Sequence, residues 1–207
     1  MKGAQMHRIV VLTSLLVLLA GAARAGEYES GFGFGISVPE VWLVLTRSEV
    51  AKNAAAFMDE DGDRFGSVPP EMRRVVFDRV EAGELEIFYR REGSSESFVD
   101  NVNIMTQPAD LPASEQQLAG VCRVLPGEFS RVFGRPIGID LCEMRELIGR
   151  PALYLQFDGA IPGTTTLQYQ LQRRAGETLV LTATAAKPNL ARLLGEFEEM
   201  VASIRMH

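Results

Sequence analysis

Apolar and polar residues alternate strictly in the last third of the chain. In 152–158, and again in 166–173, every second residue is a leucine or an aromatic residue. A two-residue period with one apolar face predicts strands that are each covered on one side. The run 178–185 follows a short connection that contains a glycine, so we expect it to return antiparallel to the strand before it.

The period changes after the segment 187–189, which contains a proline. From Leu190 to Ile204, apolar residues recur at helical spacing and charged residues occupy the other side. A helix with one apolar stripe that follows three antiparallel strands is expected to lie on the sheet that they form. The unit 150–206 therefore predicts strand, strand, strand, helix, and it organises the fold.

The chain before residue 150 shows the same two periods in shorter segments. Val102 and Ile104 face one way in their run, and Asn101 and Asn103 face the other; we interpret Asn101 as a structural residue that satisfies backbone groups at a sheet edge. The polar segment 92–97 is a predicted loop. The predicted strands are 31–38, 41–45, 84–91, 98–106 and 137–147; the predicted helices are 47–58, one that starts at 67–70 with Met72, Val75, Val76 and Val80 on one face, and one from 114 to 132.

The helix that begins after residue 113 carries a start signal and an interruption. Ser114 and Gln117 have the spacing of a capping box. Pro126 breaks the apolar pattern, so we expect the helix to kink or to restart there. The two cysteines are Cys122 in this helix and Cys142 in the strand 137–147. Because no C-x-x-C motif and no neighbouring histidine is present, we interpret them as a structural disulfide rather than a redox pair.

The first 25 residues have the pattern of a signal peptide. Lys2 and Arg8 precede the apolar run 9–19, and the sequence Ala-Arg-Ala at 23–25 matches a cleavage site. The apolar run is short for a membrane span, and no lipid-acceptor cysteine follows it. We therefore predict cleavage after residue 25, a single domain at 26–207 without a stable membrane anchor, and a periplasmic location; a retained anchor is the alternative.

Removal of this segment makes an acidic chain more acidic. The full sequence has a net charge of -6, and the segment takes away three basic residues and no acidic residue, which gives -9. Only two lysines, Lys52 and Lys187, remain. This balance argues against nucleic acid or an anionic membrane as a partner and permits a basic protein partner.

The sequence lacks the residues that several classes of catalytic and metal site require. His207 is the one histidine left after cleavage, and neither a G-x-S-x-G nor a Walker motif occurs. In the acidic cluster Asp59–Asp63 the glycine is fourth, whereas a calcium loop needs it sixth, so we interpret the cluster as a solvated loop. We predict no catalytic, metal or cofactor-binding residues. A carboxylate pair of the glycosidase type stays open.

Three segments resemble PsbP-like proteins. They are 33–42 (GFGISVPEVW), similar to the opening strand and turn of that family; 98–104 (FVDNVNI), similar to a central strand; and 176–183 (GETLVLTA) with the helix that ends at 201–204, similar to the last strand and helix. The resemblance covers about residues 30–206. It implies an α+β fold, an α/β/α sandwich with a central antiparallel sheet of about six strands and helices on both faces. The cysteine pair and the acidic insertion at 59–70 are not part of the family pattern.

The resemblance also implies a non-enzymatic module that binds a protein partner. Within this class we include a periplasmic immunity protein and an assembly or accessory protein. The alternative hypothesis is a binder of small ligands or cell-wall fragments, with an apolar pocket lined by residues such as Trp42 and Tyr154. Trp42 on its own is typical of a core residue.

Overall fold

The computed structural model of the chain describes residues 25–48, 70–90 and 98–207. The α-helices within these residues are α1 (Pro70–Glu81), α2 (Glu115–Phe133) and α3 (Leu190–Ala202). The strands are β1 (Ala25–Ser30), β2 (Phe34–Pro39), β3 (Trp42–Leu45), β4 (Glu86–Arg90), β5 (Asn101–Gln107), β6 (Ile139–Leu147), β7 (Arg150–Asp158), β8 (Thr164–Arg174), β9 (Glu177–Ala186) and β10 (Arg205–Met206).

The main sheet has seven strands in the order β3-β4-β5-β9-β8-β7-β6. All neighbouring strands are antiparallel. The predicted unit of three strands and a helix is confirmed as β7, β8, β9 and α3. The sequence changes from a strand period to a helix period at a short 3₁₀ turn, Lys187–Asn189. The α+β class and the antiparallel sheet between helices are confirmed as well, with seven strands in place of about six.

A second sheet, in the order β1-β2-β10, was not predicted from the sequence. The segment 31–38, predicted as one strand, is the turn and second strand of a hairpin in which Gly33 has a φ of 80°. The first strand, β1, begins at Ala25, the last residue of the predicted signal peptide. Its sequence, AGEYES, does not alternate between apolar and polar residues, which explains why no pattern marked it.

The two faces of the main sheet are covered differently. On one face, which we call the α3 face, α3 and the small sheet pack on the largest core cluster; Phe34, Leu181 and Phe197 are among its fully buried members. On the other face, which we call the α1/α2 face, two smaller clusters are separate. One of them joins α1 to β3 and β4, and the other joins α2 to β6 and β7.

A network of ion pairs joins α3 to the main sheet. Asp100 is fully buried and accepts hydrogen bonds from the Ala186 N–H at 3.1 Å and from Arg192 Nη2 at 3.1 Å. Glu196, one turn further along α3, accepts from Trp42 Nε1 at 2.9 Å and pairs with Arg90. Buried polar groups of this kind stabilise a fold only when they are paired, and here each one is.

Two details of the helices differ from the prediction. In α1, Val76 and Val80 pack on the sheet, whereas Val75 is 60% exposed, because neighbouring residues in a helix point in different directions. Of the two outcomes predicted at Pro126, a kink or a restart, the restart is wrong, since α2 is one helix from Glu115 to Phe133 with the proline inside it. Leu125 and Phe129, on either side of the proline, keep their packing against the sheet and offset the lost backbone hydrogen bond. The Ser114 cap is confirmed, with a hydrogen bond of 3.2 Å from the Gln117 N–H.

Several predicted segments fall outside the residues that the structure describes. They are residues 1–24 of the predicted signal peptide, all but the first two residues of the helix 47–58, the acidic loop Asp59–Asp63, residues 67–69 at the start of the next predicted helix, and the loop 92–97. Of the helices within the described ranges, none is long and apolar enough to cross a membrane.

Candidate binding groove

The α1/α2 face is polar at its centre. Strand register sets the outward residues of β5, β9 and β8 in four rows that run across the strands. We call this strip the polar groove. Its rows are Asn101, Thr184 and Thr166; Asn103, Thr182 and Gln168; Met105, Val180 and Gln170; and Gln107, Thr178 and Gln172.

The residues that continue these rows in the neighbouring strands, β4 and β7, include apolar side chains that pack beneath the helices. Ile87 of β4, opposite Asn103, packs in the cluster beneath α1. Leu155 and Phe157 of β7, opposite Gln168 and Thr166, pack in the cluster beneath α2. The two helices thus cover the outer strands, and the amide side chains between them are half-buried. A strip of polar side chains therefore lies between two covered, apolar regions of one sheet face.

Side-chain length gives this strip the shape of a groove. The central strand, β9, contributes only threonines and a valine to it. The strands on its two sides contribute asparagines, glutamines and a methionine, which are longer side chains, and β8 also contributes Thr166 at one end. Because neighbouring strands lie about 4.8 Å apart, the backbones of β5 and β8 lie about 10 Å apart. The groove has a floor along β9 and walls on β5 and β8.

Hydrogen bonds order the amides of the β5 wall. Asn103 Nδ2 donates to Asn101 Oδ1 at 3.0 Å, and Asn101 Nδ2 donates to the Val99 carbonyl at 2.9 Å. The structural role predicted for Asn101 is thus present, but its strand is third in the order of seven and is not an edge. The wall is held in one orientation without contact to a charged group.

The β8 wall is ordered in the same way and reaches across the floor. Gln170 Nε2 donates to Gln168 Oε1 at 2.8 Å, and Gln168 Nε2 donates to Thr182 Oγ1 at 2.9 Å. Gln107 Nε2, from the opposite wall, donates to Gln170 Oε1 at 3.0 Å. This last hydrogen bond, the Gln107–Gln170 bridge, closes the groove near one end.

Beneath that end lies a polar atom without a partner. Thr178 is fully buried, and its Oγ1 is the one such side-chain atom in the described part of the chain that lacks a hydrogen bond. Beside it, Gln172 is held by Asp110 Oδ1 at 2.8 Å and by the Leu111 N–H at 2.8 Å. The end of the groove is fixed, yet it leaves one buried hydroxyl unsatisfied, which is costly.

The groove carries no formal charge. Its residues are amides, hydroxyls, one methionine and one valine. Tyr89, opposite Asn101 on the next strand, is also neutral near pH 7, and burial raises its pKa further, to about 12. In the described ranges, no group of histidine, cysteine, aspartate and glutamate side chains is arranged to hold a metal ion. The chemistry available here is neutral hydrogen bonding.

The cysteines and aromatic residues singled out in the sequence lie outside the groove. Cys122 and Cys142 are bonded, with Cα atoms 5.8 Å apart, and link α2 to β6. Trp42 is 3% exposed and Tyr154 is 1% exposed, so both belong to the core of the α3 face. Arg145 covers the Tyr154 ring at 3.5 Å. The ligand-pocket hypothesis therefore loses the two side chains named for it.

Sequence reasoning missed the groove although its residues form a recognisable pattern. The positions that alternate with the core of β8 are Gln168, Gln170 and Gln172, and no charged residue stands among them. Solvent-facing strand positions normally include charges, so an unbroken series of amides was the available signal.

Comparison with known proteins identifies the fold. No protein-family model matches the sequence, and no curated protein matches it significantly. The solution structure of CyanoP, the cyanobacterial PsbP from Synechocystis sp. PCC 6803, superposes with a TM-score of 0.52 at 12% identity, over 91% of this chain and 95% of that chain.

Two further structures align less closely. LpqN of Mycobacterium tuberculosis, described as involved in cell envelope biogenesis, has a TM-score of 0.48 at 12% identity, over 88% of this chain and 84% of its own. The Ran-binding protein Mog1p of Saccharomyces cerevisiae has a TM-score of 0.49 at 9% identity, over 89% and 96%. The resemblance noted in the sequence is confirmed at the level of architecture: the chain has the PsbP-like fold.

Proposed function

We propose that this protein is an exported, non-enzymatic module that binds a protein partner through the polar groove. The observation that carries the proposal is the uncharged, half-buried centre of the α1/α2 face. A sheet face beneath helices is normally apolar throughout, because burying polar groups is costly unless they are paired. Polar side chains retained at the centre of such a face are suited to a partner that supplies hydrogen bonds.

The chemistry of the lining favours binding over catalysis. Asn, Gln and Thr side chains neither gain nor lose a proton near pH 7, so they are poor general acids and bases. An activated nucleophile also needs a neighbouring base or a lowered pKa, and amides supply neither. A site made of these groups can select and orient a partner without transforming it.

The sequence pattern of 1–25 and the Cys122–Cys142 bond support export. Disulfides persist in the periplasm and outside the cell and are rare in a reducing cytosol. In the periplasm, the module acts as an immunity protein or as an assembly or accessory factor. The identity of the partner separates these roles.

A second candidate is a binder of small ligands or cell-wall fragments. The same amides and hydroxyls that match a polypeptide also match the hydroxyl groups of a neutral sugar. This observation replaces the apolar pocket as the basis for that hypothesis.

Affinity capture from a periplasmic extract tests the proposal. Tagged protein 26–207 is compared with Asn103→Leu, which removes a wall amide, and with Gln116→Leu, a matched change at an exposed position of α2. We expect one stoichiometric protein to be retained by the wild type and by Gln116→Leu and to be lost with Asn103→Leu. Equal capture by all three forms, or no capture, contradicts the proposal, and a retained glycan favours the second candidate.

A further inference from the structure

We infer that the polar groove binds an extended peptide segment of the partner, which runs along β9 and is recognised mainly through its backbone. The inference rests on the proposed function and names the chemistry of the partner. It is drawn from the spacing, the hydrogen-bonding capacity and the width of the groove.

The spacing of the wall amides matches that of an extended peptide. Asn101 and Asn103 lie two residues apart on one wall, as do Gln168 and Gln170 on the other. Residues two apart in a strand are separated by about 6.7 Å, and an extended peptide repeats its outward-facing backbone groups at the same interval. A peptide that runs along β9 can therefore place one backbone N–H and one backbone C=O opposite each wall amide, because its repeat equals the spacing of the amides.

The chemistry of the walls also matches a peptide backbone. A primary amide has two N–H donors and a carbonyl acceptor, so it can donate to a peptide C=O and accept from a peptide N–H together. In the described part of the chain, Asn101, Asn103, Gln168 and Gln170 each use a single N–H in the hydrogen bonds found. Each wall amide therefore retains a donor for a ligand.

The neutral lining indicates that backbone atoms, rather than charged side chains, are recognised. No charged residue stands in the four rows of the groove. A charged side chain of the partner would be partly desolvated here without a counter-charge, which is unfavourable. A backbone amide is neutral, and the wall amides can replace the hydrogen bonds to water that it gives up.

The width favours an extended chain over a helix. The backbones of the two wall strands lie about 10 Å apart. Their side chains narrow this space further, down to hydrogen-bond distance at the Gln107–Gln170 bridge. An α-helix with its side chains is about 10–12 Å across, so it cannot descend between the walls. A single extended backbone is narrower and can lie above Thr182 and Thr184, whose hydroxyls are bonded to Gln168 Nε2 and Thr166 Oγ1.

The Gln107–Gln170 bridge is the part of the groove that a peptide would replace. Exchanging one amide–amide hydrogen bond for an amide–peptide hydrogen bond is nearly neutral in free energy. Opening the bridge also uncovers Thr178, whose buried Oγ1 has no partner among the described residues. A peptide donor or acceptor at this point would satisfy that hydroxyl.

Side-chain amide NMR signals of isotope-labelled protein 26–207 provide the test. The probe is a mixture of uncharged octapeptides of serine, threonine and valine at millimolar concentration, and the control peptides carry N-methyl groups at alternate residues. We expect the probe to shift the signals of Asn101, Asn103, Gln168 and Gln170, and N-methylation to abolish the shifts. Asn103→Leu and, as a second variant, Gln168→Met should weaken binding at least tenfold, while Gln116→Leu leaves it unchanged.

Three results would overturn the inference: no shift at millimolar peptide, equal shifts with the N-methylated peptides, or the same shifts produced only by a neutral chitin oligosaccharide. If capture depends on Asn103 but peptides have no effect, the partner uses a folded surface, and the proposed function stands without this inference. If capture also fails to depend on Asn103, both are wrong.

Discussion

Helices α3 and α2 cover opposite faces of the main sheet and are held by different means. In α3, a helix of 13 residues, Leu193, Phe197, Met200 and Val201 are buried. In α2, a longer helix of 19 residues with a proline inside it, no side chain is fully buried. A disulfide joins α2 to β6 instead. One face is thus stabilised by continuous apolar burial, and the other by separate clusters and a covalent bond.

This difference assigns different roles to the two faces. The α3 face buries large residues across the sheet, from Trp42 of β3 to Tyr154 of β7. The α1/α2 face keeps its centre polar and concentrates its apolar residues at the flanks. Apolar burial is the main source of stability, so the polar centre of the α1/α2 face contributes less to it than the same area of the α3 face. We assign the maintenance of the fold to the α3 face, and the proposed function places binding on the α1/α2 face.

The largest change in the free energy of unfolding is expected for a substitution in the core of the α3 face. Phe197→Ala should lower the free energy of unfolding by about 3–5 kcal/mol, because it leaves a cavity among fully buried side chains. Urea denaturation measures the loss. Phe129→Ala is the matched change in α2, where the ring is only partly buried, and should cost clearly less. Equal losses would remove the distinction between the faces.

Reduction of the disulfide should have the next largest effect. The bond joins residues 20 apart in sequence, and a loop of that size contributes roughly 3 kcal/mol on the chain-entropy model. Hydrogen exchange should show faster exchange in α2 and β6 and unchanged exchange in α3. Cys122→Ser serves as the control, since reductant should leave its melting temperature unchanged. Uniform loss of protection in both helices would contradict the comparison.

Acidity should affect the α3 face through Glu86. Burial raises the pKa of this carboxyl above its ordinary value of 4.5, although Ser30 Oγ and the Gly31 N–H each donate to it at 2.7 Å. A raised folded-state pKa means that the stability contribution is complete below pH 4.5 and is lost as pH rises through the folded-state pKa.

Glu86→Gln should therefore abolish this pH-dependent loss of stability. We expect the loss in the wild type to be smaller than the loss caused by reducing the disulfide. Thermal melts from pH 4 to pH 7 measure it, and Glu84→Gln, at an exposed position, is the control. A wild-type protein that becomes more stable than Glu86→Gln as pH rises would show that the two hydrogen bonds outweigh burial.

The smallest change in stability is expected in the groove itself. Asn103→Leu should alter the free energy of unfolding by less than about 1 kcal/mol, since the side chain is half-buried and bonded only to a neighbouring amide. Leu181→Asn, on the opposite face of the next strand, should cost several times more, because it places an amide in the apolar core. Denaturation of the two variants side by side sharpens the contrast between faces.

The parts of the fold that follow from local periodicity could be predicted. Strands β7, β8 and β9 alternate cleanly, and α3 has a single apolar stripe, so each pattern determines its own element. The pairing of β5 with β9, which are separated by α2 and three strands, depends on long-range contacts that no local pattern encodes. Hairpin β1–β2 was missed because β1 has little apolar content of its own.

The candidate site could be predicted only in part. The amides of β5 and β8 were visible as polar alternates, and one of them, Asn101, was interpreted as structural. Their assembly into one surface requires that β9 lie between these strands and that α1 and α2 cover only the flanks. Strand order and helix placement are tertiary properties, so the groove emerges only when the whole sheet is in place.

The small sheet has a consequence for the order of folding. Ser37 donates its backbone N–H to Ser203 Oγ, 166 residues later in the chain, and β10 completes the sheet next to β2. Closing so long a loop costs conformational entropy, and the contacts compensate for this cost only when the intervening strands have already assembled. We therefore expect the β1–β2 hairpin to reach its native position only after the main sheet has formed, although it lies near the start of the chain.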